Sequence, residues 1–553
     1  MMHRVFWRVP LAWLGLAALL TGCAGVGRMP AGEQMLLAEI AVDRGQYPLA
    51  VQTYRLAAAT SRDEHVAARA ARLAFESGET RALERIAREW LGRDPHSEVA
   101  RRYRAVALLE LDRRADAEQE LLLLLTSAYP SPAEGFGGLA ESLAQLRNDT
   151  GVARVVARLA ARYPDLPEAA LASAQLALAA GDSATALAAT GRVLAREPGR
   201  RDARWIAARA LVAAGRCDEG LKESGTLAAE STDADRLVHA WLLGACDRGA
   251  EARAYFGDLA NSRTVRAEAL EGLAGYDVDA RRFDDAANRY GEVLSTGRNG
   301  ERAMYGLAVT ADRRGDVERA IKFYSRVTAG GRVVPAQLRA YRLELERGGA
   351  QAAARQLDEF VAASPEQRVA ATAGRAQLLA DFGRQREALA LLARATVAYP
   401  DREELRYARA AVLERSGQVD AALTELRAVV DARPEDPNAE NALGFTLADH
   451  GRNLAEAERR IRAALAERPD SAAIMDSLGW VLHRRGQTAD ALGWLRRAYA
   501  LDPDPEIAAH LGLAQWALGD RAGAEHSWRE SLERNPGERH LQQAIESHLG
   551  PRS

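Results

Sequence analysis

The feature that most constrains this chain is a period. Gly315, Gly349, Gly383, Gly417, Gly451, Gly486 and Gly519 are separated by 34, 34, 34, 34, 35 and 33 residues. Prolines keep the same step at Pro365, Pro400, Pro434, Pro469, Pro503 and Pro536, and earlier at Pro95, Pro130, Pro164 and Pro198. Between them an alanine recurs at Ala320, Ala354, Ala388, Ala422, Ala457, Ala491 and Ala524, and earlier glycines stand at Gly45, Gly78, Gly181 and Gly215. A repeat of this length is one supersecondary unit that cannot bury its apolar face alone, so copies must stack. Glycine permits the turn between two helices, alanine lets them cross closely, and proline stops the second. The marks accommodate about fifteen helix pairs over 31–537.

Composition agrees with an all-α reading. Hydrophobic residues make up 48%, aromatics only 6%, and alanine dominates the apolar set; alanine is the best helix former. Runs of β-branched residues bounded by turns, the mark of strands, are missing. The net charge of −3 becomes −5 once segment 1–22, with Arg4 and Arg8 and no acid, is set aside. That balance excludes a nucleic-acid footprint. The cysteines Cys23, Cys217 and Cys246 form no C-x-x-C pattern or metal-ligand spacing.

The first residues read as an address. Arg4 and Arg8 precede an apolar stretch at 9–20, too short to span a bilayer comfortably, followed by Leu20-Thr21-Gly22-Cys23. This resembles the bacterial lipobox, in which a diacylglyceryl group is attached to the cysteine sulfur and the leader is cut off before it. The resemblance implies a signal peptide over 1–22, lipidation of Cys23, and a tether over 23–30. Several acyl chains anchor stably where one would not. Ala24, in place of the aspartate typical of inner-membrane lipoproteins, implies the outer membrane, facing the periplasm.

The segments DSLGWVLHRRGQTADALGWLRRAYALDP (476–503) and HLGLAQWALGDRAGAEHSWRESLERNP (510–536) closely resemble the tetratricopeptide repeat. Leu478-Gly479 takes the first-helix contact, Gly486 the turn, Ala491 the crossing, Ala498 the second-helix contact and Pro503 the exit. The resemblance implies a right-handed superhelix of antiparallel helix pairs, with blocks at 31–230 and 263–537. Residues 231–262 are irregular and read as a possible hinge. Residues 538–553 read as a capping helix and tail, since solenoids need a polar-faced end.

No catalytic pattern, metal site or cofactor motif is present: H-E-x-x-H, G-x-S-x-G and Walker-type loops are missing. Gly135-Phe136-Gly137-Gly138 falls in an expected first helix and follows no strand. The ten histidines are scattered, with His548 read as a surface residue. The chain is therefore expected to bind proteins and not to be an enzyme. In this family the fifth, ninth and twelfth positions of each first helix line the groove. Carried over, they are Tyr407, Asn441, Phe445, Asp476, Trp480, His483 and Trp516, either an interface core of exposed aromatics or rings filling the space between repeats.

One departure narrows the partner. Repeats that clamp the acidic tails of cytosolic chaperones use groove lysines, whereas the only lysines here, Lys222 and Lys322, fall in expected second helices facing away. Residues 438–536 resemble lipoprotein adaptors of periplasmic carboxyl-terminal-processing proteases, which bring protease and cell-wall hydrolase substrates together. The other reading is an assembly scaffold for a pilus, secretin or polysaccharide exporter. Finally, Cys217 begins a second helix and Cys246 ends the next first helix. Antiparallel stacking brings both to one edge, where they either pair in a disulfide or serve as small core residues.

Overall fold

The computed structural model describes residues 29–549, except positions 45, 62, 112, 128, 144–148, 230–231, 365–366, 401, 435, 470 and 536. Cys23 lies outside the described residues. Those described form 31 helices and no strand, that is, fifteen pairs from Ala31–Asp43 to Arg521–Arg534 and a final helix Arg539–Leu549. None of these helices is long and apolar enough to cross a membrane.

Local chemistry sets the period. Gly181, Gly315 and Gly519 take left-handed φ values of 78°, 87° and 87° at the turns within pairs. The following Asp182, Asp316 and Asp520 cap the second helices by accepting from the amides of Thr185, Arg319 and Gly523. First helices such as Pro437–Asp449 and Pro505–Ala517 start on a proline preceded by a capping aspartate. The crossing alanines Ala320, Ala388, Ala422, Ala457, Ala491 and Ala524 are all 0% exposed.

Two marks need correcting. The left-handed turn belongs to Gly348, with φ of 81°, while Gly349 at φ −82° is already the cap of Ala350–Ala363. The crossing residue is accordingly Ala353, 1% exposed, and not Ala354. Two adjacent glycines and a run of alanines left the register open by one residue.

The helices divide into two compact units, 1–371 and 372–553. In the first unit, residues 231–262 supply Asp233–Ala245 and Gly249–Leu259, a helix pair packed around Phe256 together with Leu221 before it and Val265, Ala269 and Leu273 after it. The left-handed turn survives there without glycine, at Asp247 (φ 57°) and again at Arg281 (φ 58°). Cys217, first residue of Cys217–Ala229, is disulfide-bonded to Cys246, with Cα atoms 5.8 Å apart. One contact ignores sequence order: the Tyr47 hydroxyl donates to the carbonyl oxygen of Ala362 at 3.0 Å, and the Arg368 guanidinium lies 4.6 Å from the Tyr47 ring centroid.

In the second unit a continuous apolar seam runs through successive pairs, from Ala410 to Ala514. Helix Arg539–Leu549 covers the last pair with Leu541, Ala544 and Ile545, packed around Trp528.

A candidate partner-binding site in the C-terminal unit

Three successive first helices, Pro437–Asp449, Ala472–Arg484 and Pro505–Ala517, carry the candidate site. Each holds a glycine where the second helix presses in. A Cβ on Gly479 would lie 2.5 Å from Leu495, and one on Gly512 would lie 2.0 Å from Trp528. This close approach fixes the helix axes and therefore the register of the side chains beside them.

Those side chains converge on His510, which the sequence reading missed. His510 Nδ1 is 3.0 Å from both oxygens of Asp476. Its ring stacks on Trp480 with centroids 4.3 Å apart and planes 16° from parallel. His483 stacks on Trp480 as well, at 5.5 Å and 25°, and Phe445 stands 6.1 Å from His510. The Trp480 indole donates to Asp449 Oδ1 at 3.1 Å, with the Arg484 guanidinium 5.5 Å from its ring.

Charge follows contact. Burial alone would depress His510, but the charge and hydrogen bond of Asp476, aided by Glu506 and Asp449, hold its imidazole above the usual 6.5. His483 is pushed below 6.5 by burial and then by the positive charges of His510 and Arg484.

Of the two readings, interface core or packing between repeats, Trp480 and Asp476 take the second, while Phe445, His483 and Trp516 stay half-buried. Trp480 is 9% exposed and Asp476 5%, because His510 of the following repeat fills the space in front of them. Trp516 lies apart from this group. It packs 5.9 Å from Trp528 and 5.2 Å from His548, with Arg521 3.7 Å over its ring, so His548, on the capping helix, is half-buried against Trp516 and Trp528 and not a surface residue. Tyr407 and Asn441 are half-buried, and the Tyr407 hydroxyl and Asn441 Oδ1 have no hydrogen-bond partner among the described residues. Burial, then the charges of Asp436 and Glu403, raise the Tyr407 hydroxyl above its ordinary value. Both lysines sit exposed on second helices.

Among the described residues, Glu414, Asp449 and His450 bring one potential metal donor each within 4.8 Å of one another. Each is already engaged. His450 Nε2 is 2.7 Å from Glu414, and Asp449 receives Trp480 and lies 3.9 Å from Arg484. Arg415 pairs with Asp381 at 2.6 Å one repeat earlier. The trio thus continues a series of charge pairs between the C-terminal ends of successive first helices. His510 and Asp476 have the pairing of a base and its orienting carboxylate, and His510 is 7% exposed with its ring stacked on the indole.

Helix pairs stacked in this way define an all-α solenoid. The tetratricopeptide repeat family matches over 171–235, 272–332, 373–437 and 442–505. A TPR repeat-containing protein of Pseudomonas aeruginosa is 34% identical over 210 residues, covering 38% of this chain and 36% of that protein, so the chain matches little more than a third of its relative's length. Among solved structures, a thermophilic TPR protein of Thermus thermophilus is 24% identical over 33% of this chain and 98% of its own, with a TM-score of 0.30. Yeast Tom70 is 13% identical over 93% and 94%, with a TM-score of 0.37. This chain carries tetratricopeptide repeats over those segments, and its fold is a tetratricopeptide-repeat solenoid.

Proposed function

We propose that the chain is a lipid-anchored adaptor of the outer membrane that faces the periplasm and gathers a carboxyl-terminal-processing protease with its cell-wall hydrolase substrates. The observation that carries the compartment is the Cys217–Cys246 disulfide in a chain headed by Leu20-Thr21-Gly22-Cys23, since disulfides persist in oxidising compartments. The adaptor role draws on the family's protein-binding habit and on the resemblance of 438–536. A scaffold held by lipid at one end raises the effective concentration of whatever it holds.

The test is affinity capture of the tagged lipoprotein from envelope extract. Recovery of a serine peptidase with a peptide-binding domain is the expected result. Recovery of secretin, pilus or exporter subunits instead would replace the adaptor with an assembly scaffold. Cys23→Ser should release the protein from the outer membrane, and unchanged fractionation of that variant would remove the anchor. Phe445→Ala, at a half-buried ring on this face, should lower capture at least about 30-fold, the effect of losing one hot-spot residue.

A further inference from the structure

Trp480 stacks with two imidazoles that favour opposite charge states. We propose that this stack is a pH-responsive clasp, which joins helices Ala472–Arg484 and Pro505–Ala517 most firmly near neutrality and loosens on either side. The clasp is a property of the folded chain. It borrows from the preceding section only that this face meets a partner, and it stands whether or not that partner is a protease.

The cationic form of His510 fits its surroundings. Both Asp476 oxygens lie 3.0 Å from Nδ1, and the ring face lies 4.3 Å from the Trp480 indole, an arrangement that attracts a cation. Glu506 on its own helix and Asp449 on Pro437–Asp449 add negative charge. Neutralising His510 strands the buried Asp476 carboxylate without a counter-charge. For His483 the surroundings favour the neutral form. Its Nδ1 is 3.2 Å from the Thr488 hydroxyl on helix Thr488–Leu501, and Arg484 and His510 already place positive charge around the same indole.

The signs follow. His510 is raised above 6.5, so its contribution is complete below 6.5 and is lost as pH rises through the raised value. His483 is lowered, so its contribution is complete above 6.5 and is lost as pH falls through the lowered value. The two limbs make a maximum around 6.5 that neither histidine produces alone.

Hydrogen exchange of the full-length, detergent-solubilised protein tests this between about pH 5 and 9. Corrected for intrinsic rates, protection of 472–484 and 505–517 should peak near neutrality. It should fall on each side by up to about tenfold for each unit of pKa displacement. His510→Gln should flatten the alkaline limb alone, and His483→Gln the acid limb alone. A flat wild-type profile, or the same profile in both variants, overturns the clasp. Should either variant lose protection at every pH, histidine-selective NMR titration of the wild type decides. His510 must titrate above 6.5 and His483 below it, and joint titration ends the proposal.

Discussion

Each unit buries an aspartate on a first helix, and the two are neutralised in different ways. Asp277, its side chain 1% exposed, faces Arg289 at 2.8 Å, Arg253 at 3.3 Å and Arg282. Asp476, 5% exposed, faces His510. Arginine keeps its charge at every accessible pH, whereas histidine gives it up near neutrality. The first unit therefore holds its buried carboxylate in a permanent clamp and the second in a conditional one. The permanent clamp sits beside the irregular pair at 231–262, where repeat marks are weakest and the disulfide is also found. The conditional clamp sits where the repeat is most regular and the framework needs no reinforcement.

The comparison can be broken most strongly at the disulfide. Replacing Cys217 and Cys246 together by serine should cost about 3–4 kcal/mol by the chain-entropy argument. Faster hydrogen exchange should be concentrated in 217–259, with 437–534 unchanged. Next comes Asp277→Asn, which removes the carboxylate from three arginines that still reach water. A loss of about 2–3 kcal/mol is expected, read from the same helices. Burial opposes the ionised form of Asp277, but Arg282 and Arg289 together hold it below 3.8, so its contribution is complete above 3.8 and lost only as pH falls through the lowered value. Exchange around Asp277 should be flat from about pH 5 to 9, where the His510 region is not. The smallest change is a gain. Arg281→Gly relieves a left-handed arginine and should stabilise the adjoining pair by about 1 kcal/mol, seen as slower exchange in 266–295.

The architecture was legible because period, turn and stop recur in step, and about fifteen expected pairs are the fifteen seen. Legibility failed where chemistry substituted for glycine. Asp247 and Arg281 hold the same turn conformation as Gly215 and Gly315, yet nothing in their identity announces it. The site was half legible. Phe445, Asp476, Trp480 and His483 do come together, but which of them stay accessible was not legible, because a groove position is open only if the next repeat leaves it open; Trp480 and Asp476 are closed off. His510 was findable in principle: it stands 34 residues after Asp476, one repeat on, with the opposite charge preference. A search for complementary charges one period apart would also have shown Asp381 with Arg415.

A stack whose members touch only their neighbours behaves as a spring, stretching and twisting at small cost per coil. Tyr47 departs from that rule. Its bond to Ala362 spans 315 positions and, with Arg368 over the ring, ties one coil of the first unit to another. Elastic strain applied to that unit is then no longer shared evenly down the stack. It falls in part on a buried phenol, 5% exposed, and the compliance of the coil between residues 47 and 362 changes with whether that ring stays in place.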